Sequence, residues 1–114
     1  MCGTLGPGTM RSMAELDWYV LTHRPGPAVT DGSAFDHPGT GEHYAFLGRL
    51  RGSGALIAAG PLTDVDGEGM TVLAAPSLDE AVRLATMDDQ SVVNGVLQVT
   101  VRPWHVMMFL PPEP

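Results

Sequence analysis

The residues best suited to chemistry are a histidine and an aspartate far apart in the chain: His43, in G-E-H-Y-A-F-L-G-R-L, and Asp89, in D-D-Q-S-V-V-N-G. Each stands at the mouth of a segment of helical character. An imidazole has an unperturbed pKa of about 6.5, which suits a general base near neutral pH. A carboxylate beside it would fix its tautomer and stabilise the imidazolium, strengthening that base. Both residues also have a plainer use. A lone helical histidine is most often a surface or core side chain. Aspartate is a preferred helix N-cap, and Asp88-Asp89 stands just ahead of a short helical turn. Asp88 is the rival to Asp89 if the register slips by one.

The elements that must position these residues are legible as periodicity. Residues 16–23, L-D-W-Y-V-L-T-H, are rich in aromatic and branched side chains and are stopped by Pro25-Gly26-Pro27, so they read as a strand. Leu16, Trp18 and Val20 would share one face and Tyr19 and Leu21 the other, so burial on both sides is expected. A proline-bearing loop follows over residues 25–38. Residues 39–51 read as a helix with Phe46, Leu47 and Leu50 as its apolar stripe. His43 lies one turn before Leu47 and should face the sheet. Gly52-Ser53-Gly54 is the stop signal.

Residues 55–59 form a short apolar strand closed by Gly60-Pro61, residues 64–69 an acidic turn, and residues 70–75 the next strand. Ser77-Leu78-Asp79-Glu80 is a capping box, with Leu78, Ala81, Val82 and Ala85 as the expected buried stripe. A short turn over residues 89–94 ends at Gly95. The last strand runs from residue 96 to about 109, with Leu97, Val99 and Val101 opposite Gln98, Thr100 and Arg102. Strand, helix, strand, strand, helix, strand is an α+β order, the split β-α-β pattern of a ferredoxin-like domain. Two helices cover one face of such a sheet. The other would carry Trp104, Val106 and Met108, an apolar face suited to meeting a second copy.

Together with A-A-G-P-L at residues 58–62 and V-R-P-W at residues 101–104, these segments resemble the YciI-like family over roughly residues 17–106. The resemblance implies a ferredoxin-like βαββαβ domain that forms a dimeric α/β barrel. It also implies that His43 occupies the family's histidine position, with Asp89 close to it in space. The family's aspartate usually opens a D-P-x-V-x-x-G pattern; here Gln90 replaces the proline, while Val92 and Gly95 keep the spacing. The better-understood relatives of this barrel type are lyases and isomerases acting on small aromatic or lactone-like compounds.

The implied activity is therefore a cofactor-independent lyase or isomerase acting on a small cyclic or aromatic molecule. His43 is its expected base and Asp89 the partner that orients it. Gly60, Pro61, Met70, Arg102 and Trp104 are the expected substrate-binding residues. A glycine lets a ligand approach the backbone closely. Methionine adapts its shape. Arg102 would hold a carboxylate or enolate, and Trp104 would form a flat wall. Turn, packing, solvent and dimer core are the plainer readings of these positions. The alternative function is a non-catalytic dimeric binding or accessory protein, in which the His43–Asp89 bond only ties the first helix to the second.

Composition removes other classes. With 13 acidic against 6 basic residues the net charge is −7, which repels phosphate backbones, so nucleic acid is not an expected partner. No apolar run approaches the roughly 20 residues that span a bilayer, so no membrane association is expected. The single cysteine, Cys2, offers no disulfide framework and fits a reducing cytoplasm. Residues 1–13 read as a disordered leader, a misassigned start or a tag remnant, with Met10 or Met13 an alternative start, and residues 111–114 as a disordered proline-rich tail. Residues 14–110 are the expected domain. His23, His37 and His105 show no metal-ligand spacing, and Asp64, Asp66 and Glu68 sit in a loop too short for an EF-hand, so no metal is expected. The chain has no lysine and no glycine-rich phosphate loop, so no nucleotide cofactor is indicated. No serine or cysteine stands in a nucleophile elbow.

Overall fold

In the computed structural model, which describes residues 16–110, the first strand, β1 (Leu16–Pro25), is a central strand of a four-stranded sheet. It pairs on one side with β4 (Leu97–Val106), from Leu16 opposite Val106 to Pro25 opposite Leu97. On the other side it pairs with β3 (Gly69–Leu73), and β2 (Leu56–Pro61) forms the edge beyond β3. All three pairings are antiparallel, and the order β2-β3-β1-β4 is that of the ferredoxin-like fold.

Alternation along β1 decides where the core lies. Tyr19, Leu21 and His23 are buried, while Leu16, Trp18, Val20 and Thr22 are only half-buried. Helix α1 (Gly41–Ser53) presses Phe46 and Leu50 onto the buried face. Helix α2 (Leu78–Arg83) adds Ala81, and the π-turn that continues it, Leu84–Asp88, adds Ala85. The even-numbered face of β1 carries no helix, so the expected burial of both faces is not met within one chain. On it Trp18 meets Trp104 edge to face, with ring centroids 6.0 Å apart, and Trp104 remains 43% exposed.

The two helical segments begin and end for identifiable reasons. Gly54 closes α1 at φ +82°, a left-handed conformation that costs a side-chain-bearing residue energy. The Ser77 hydroxyl caps α2 by accepting from the Glu80 amide at 3.1 Å. The Glu80 carboxylate turns to Arg83 rather than back to the cap, so only half of the expected capping box forms. A third short helix, α3 (Gln90–Val93), starts at Asp89. The loop after β1 is held to the start of β4 by Gly26, whose amide donates to Val96 at 2.8 Å; a Cβ there would lie 2.2 Å from the Gly95 carbonyl oxygen.

Several expected boundaries shift. Gly60 and Pro61 lie within β2 rather than in a turn after it. Proline is tolerated there because β2 is an edge strand. Leu78 and Val82 are exposed, at 40% and 39%. The buried side of this helical run passes through Ala81, Leu84 and Ala85, so the helix is rotated about its axis from the expected stripe. β4 ends at Val106, leaving Met108 beyond it and largely exposed. The expected leader (residues 1–13) and tail (residues 111–114) lie outside the described residues. No helix among the described residues is long and apolar enough to cross a membrane.

Candidate active site

His43 occupies the first turn of α1 and Asp89 is the residue that opens α3. The fold brings their side chains to 2.7 Å, His43 Nδ1 to Asp89 Oδ2. Asp89 has no exposed surface. Its other oxygen, Oδ1, accepts the Ser91 amide at 3.0 Å and the Ser91 hydroxyl at 2.6 Å. The helix-cap reading and the dyad reading of Asp89 are thus both satisfied, one by each oxygen. Gln90 is the first residue of α3, where proline would also fit because that amide needs no partner within the helix. Its absence removes rigidity but no hydrogen bond. The rival, Asp88, points elsewhere: its carboxylate accepts from Arg83 at 3.3 Å, and its carbonyl accepts from Arg49 at 2.7 Å.

The electrostatics fix the charge on Asp89 and, through it, which His43 nitrogen faces it with a proton. Burial pushes the Asp89 carboxyl up, but hydrogen bonds from His43 and Ser91, aided by the nearby imidazoles, hold it below the usual carboxylate range. Asp89 is therefore an anion at neutral pH, and a 2.7 Å contact with it requires the proton on His43 Nδ1. That tautomer leaves the lone pair on Nε2, the other edge of the ring.

A third residue completes the cluster, and spacing along the chain did not reveal it. His23, on the buried face of β1, has its ring centroid 4.6 Å from that of His43 and its Nε2 3.8 Å from Asp89 Oδ2. It is 3% exposed, and neither ring nitrogen has a hydrogen-bond partner among the described residues. Burial, then the neighbouring His43, lowers its pKa to about 4, against a smaller opposing pull from Asp89. His23 is neutral at pH 7. The signal that could have found it is strand parity: His23 falls on the same face as Tyr19 and Leu21, the face the helices cover.

His43 and His23 open onto a pocket between α1 and the sheet with a cavity volume of about 60 Å³. Its walls are mainly apolar, with Phe35, Tyr44 and Leu47 on one side and Gly60, Pro61 and Met70 on the other. Asp89 does not reach this space; it stands behind the imidazoles. Of the expected binding residues, Gly60, Pro61 and Met70 therefore meet His43 at one pocket. Arg102 and Trp104 do not. They border a separate hollow with Val20, Thr22, Pro103 and Met70 on the face of the sheet that carries no helix.

The family model for the YCII-related domain matches residues 18–105. No curated protein matches the chain.

Proposed function

The chain belongs to the YCII-related domain family, and we propose that within it this protein moves protons on a small cyclic or aromatic molecule held in the α1 pocket, as a lyase or isomerase. The observation that carries this reading is the 2.7 Å His43–Asp89 contact at the wall of an apolar pocket. His43 Nε2 takes a proton from an acidic C–H of the substrate. Asp89, an anion at Nδ1, stabilises the imidazolium that results. The imidazolium then returns the proton to another carbon, which is an isomerisation. Alternatively, the electron pair left on carbon forms a double bond as a leaving group departs with its own pair, and the imidazolium passes its proton to that group or to water, which is an elimination. Apolar walls strengthen the charge interactions at this point, because less water screens them. Gly60 and Pro61 set the wall opposite the helix.

The test is deuterium exchange into a panel of cyclic ketones and lactones, followed by proton NMR in D₂O with chelator present. Wild type should exchange a C–H of at least one compound about a hundredfold faster than His43→Gln, the usual scale of general-base assistance. Equal rates in the two proteins would sink the reading. A second reading is favoured by the cap that Asp89 forms with Ser91: the pair would tie α1 to α3 in a non-catalytic binding protein. Ligand binding without exchange in wild type would support it.

The helix-free sheet face, with Trp18 and Trp104 on it, supports a homodimer formed face to face. Trp104→Glu should then give monomer or aggregate by light scattering. An unchanged dimer would exclude that face.

A further inference from the structure

We propose that His23, His43 and Asp89 form a binding site for a divalent transition-metal ion of the Zn²⁺ class, beside the α1 pocket. The chain spacing gave no metal pattern, because the three residues come from β1, α1 and the start of α3. In space they are one group. One ring nitrogen from each imidazole and one carboxylate oxygen all lie within 4.8 Å of one another.

The ligand set decides the class of ion. Two imidazoles and a carboxylate suit borderline metals such as Zn²⁺, Co²⁺ or Fe²⁺, whereas Ca²⁺ and Mg²⁺ call for oxygen ligands throughout. Bonds of about 2.1 Å in tetrahedral array put ligand atoms roughly 3.4 Å apart. The contacts of Asp89 Oδ2, 2.7 Å to His43 and 3.8 Å to His23, straddle that spacing, so small side-chain rotations suffice.

His23 supplies the independent observation. It is 97% buried, faces the cluster, and has two polar atoms without a hydrogen-bond partner among the described residues. Leaving a buried polar group in that condition works against folding. The dyad gives His23 no role, since His43 and Asp89 already satisfy each other. A metal ion gives it one. The second Asp89 oxygen, held by Ser91, would anchor the carboxylate as the partners of metal ligands commonly do. Three protein ligands leave a coordination position free, which is the arrangement of a catalytic or ligand-binding metal rather than a structural one. Two of the three ligands, His23 and His43, also line the α1 pocket. An oxygen of a small organic ligand is the group that would take the free position.

This inference goes beyond proton transfer by the dyad and does not depend on it; the exchange assay with chelator tests the dyad alone. Full-length protein stripped with chelator should be titrated with Co²⁺ and read by visible absorption. A parallel titration with Zn²⁺ should compete against a chromophoric chelator. The expected result is one ion per chain, with His23→Gln binding at least tenfold more weakly. In wild type, Co²⁺ should broaden the imidazole signals of His23 and His43 before those of His37 and His105. This readout needs no variant, so it stands even if His23→Gln fails to fold. No uptake, equal binding by a folded His23→Gln, or broadening that starts at His37 or His105 would overturn the proposal.

Discussion

Asp89→Ala is expected to destabilise the protein by roughly 3–5 kcal/mol, the range for breaking a buried charged pair by removing one partner. Three donors lose their acceptor together: the Ser91 amide, the Ser91 hydroxyl and the His43 Nδ1–H. Ser91 is as fully buried as Asp89, so water cannot replace the missing bonds without opening the start of α3. The cap of that helix goes with them, worth about 1 kcal/mol alone. Domains of this size lose roughly 4–8 °C of melting temperature per kcal/mol, so a fall of about 12 °C or more is expected. Asp89→Asn keeps the volume and an acceptor for Ser91 but removes the charge, and should cost about half as much or less. Urea denaturation of the three proteins at neutral pH reads the difference. An alanine variant within about 1 kcal/mol of wild type would show that the Asp89 contacts contribute nothing net to folding.

The same residue shows how much of the site was legible. Helix capping follows from local chemistry, and D-D-Q-S ahead of an apolar turn states it directly. Pairing with His43 is a fact of tertiary structure, and only the ordered set of family-like segments pointed to it. The two readings looked like rivals in sequence. The carboxylate has two oxygens, however, and the fold gives one to each use. Asp88 and Asp89 could not be separated by composition; Arg83 and Arg49 separate them by holding Asp88 outside the cluster.

Strand parity is the strongest positional signal in the sequence. It put Leu97, Val99 and Val101 against the core and Arg102 on the other side, as the structure does. Arg102 and Trp104 share the helix-free face, apart from the pocket that His43 lines. Parity also places His23 with Tyr19 and Leu21, beneath the helices. What parity cannot supply is the rotation of α1 that sets His43 against His23, because that depends on how Phe46 and Leu50 pack onto the sheet. The misplaced stripe on α2 has a different cause. Ala81 and Ala85 face the core while Leu78 and Val82 do not, and periodicity alone does not say which edge of an apolar stripe packs.

His23 leads to the second large effect, a loss of stability in mild acid. Its pKa is lowered from 6.5 to about 4 by burial first and by the adjacent His43 second, with Asp89 pulling weakly the other way. The unfolded chain therefore binds a proton at His23 throughout that window while the folded chain does not. Stability rises with pH wherever the unfolded state holds more protons, so it must fall as pH drops from about 6.5 towards about 4. At about 1.4 kcal/mol per pH unit the full effect is about 3 kcal/mol. Asp89 has its pKa lowered from a carboxylate's ordinary value, so its contribution is lost mainly at lower pH, as the carboxylate takes up its proton. His43 and Asp89 face His23 directly, and Glu68 borders a hollow beside it, so a single pH curve would mix several groups. His23→Leu separates them. It removes one titrating group and two unpartnered nitrogens while keeping an apolar volume in the core. In chelator, the urea midpoints of wild type and His23→Leu should diverge steadily as pH falls from about 7 to about 4, the variant holding its stability better by about 3 kcal/mol at the acid end. Parallel curves would mean that His23 is hydrated and free to take up a proton in the folded protein. The burial that sets it against Asp89 would then not hold in solution.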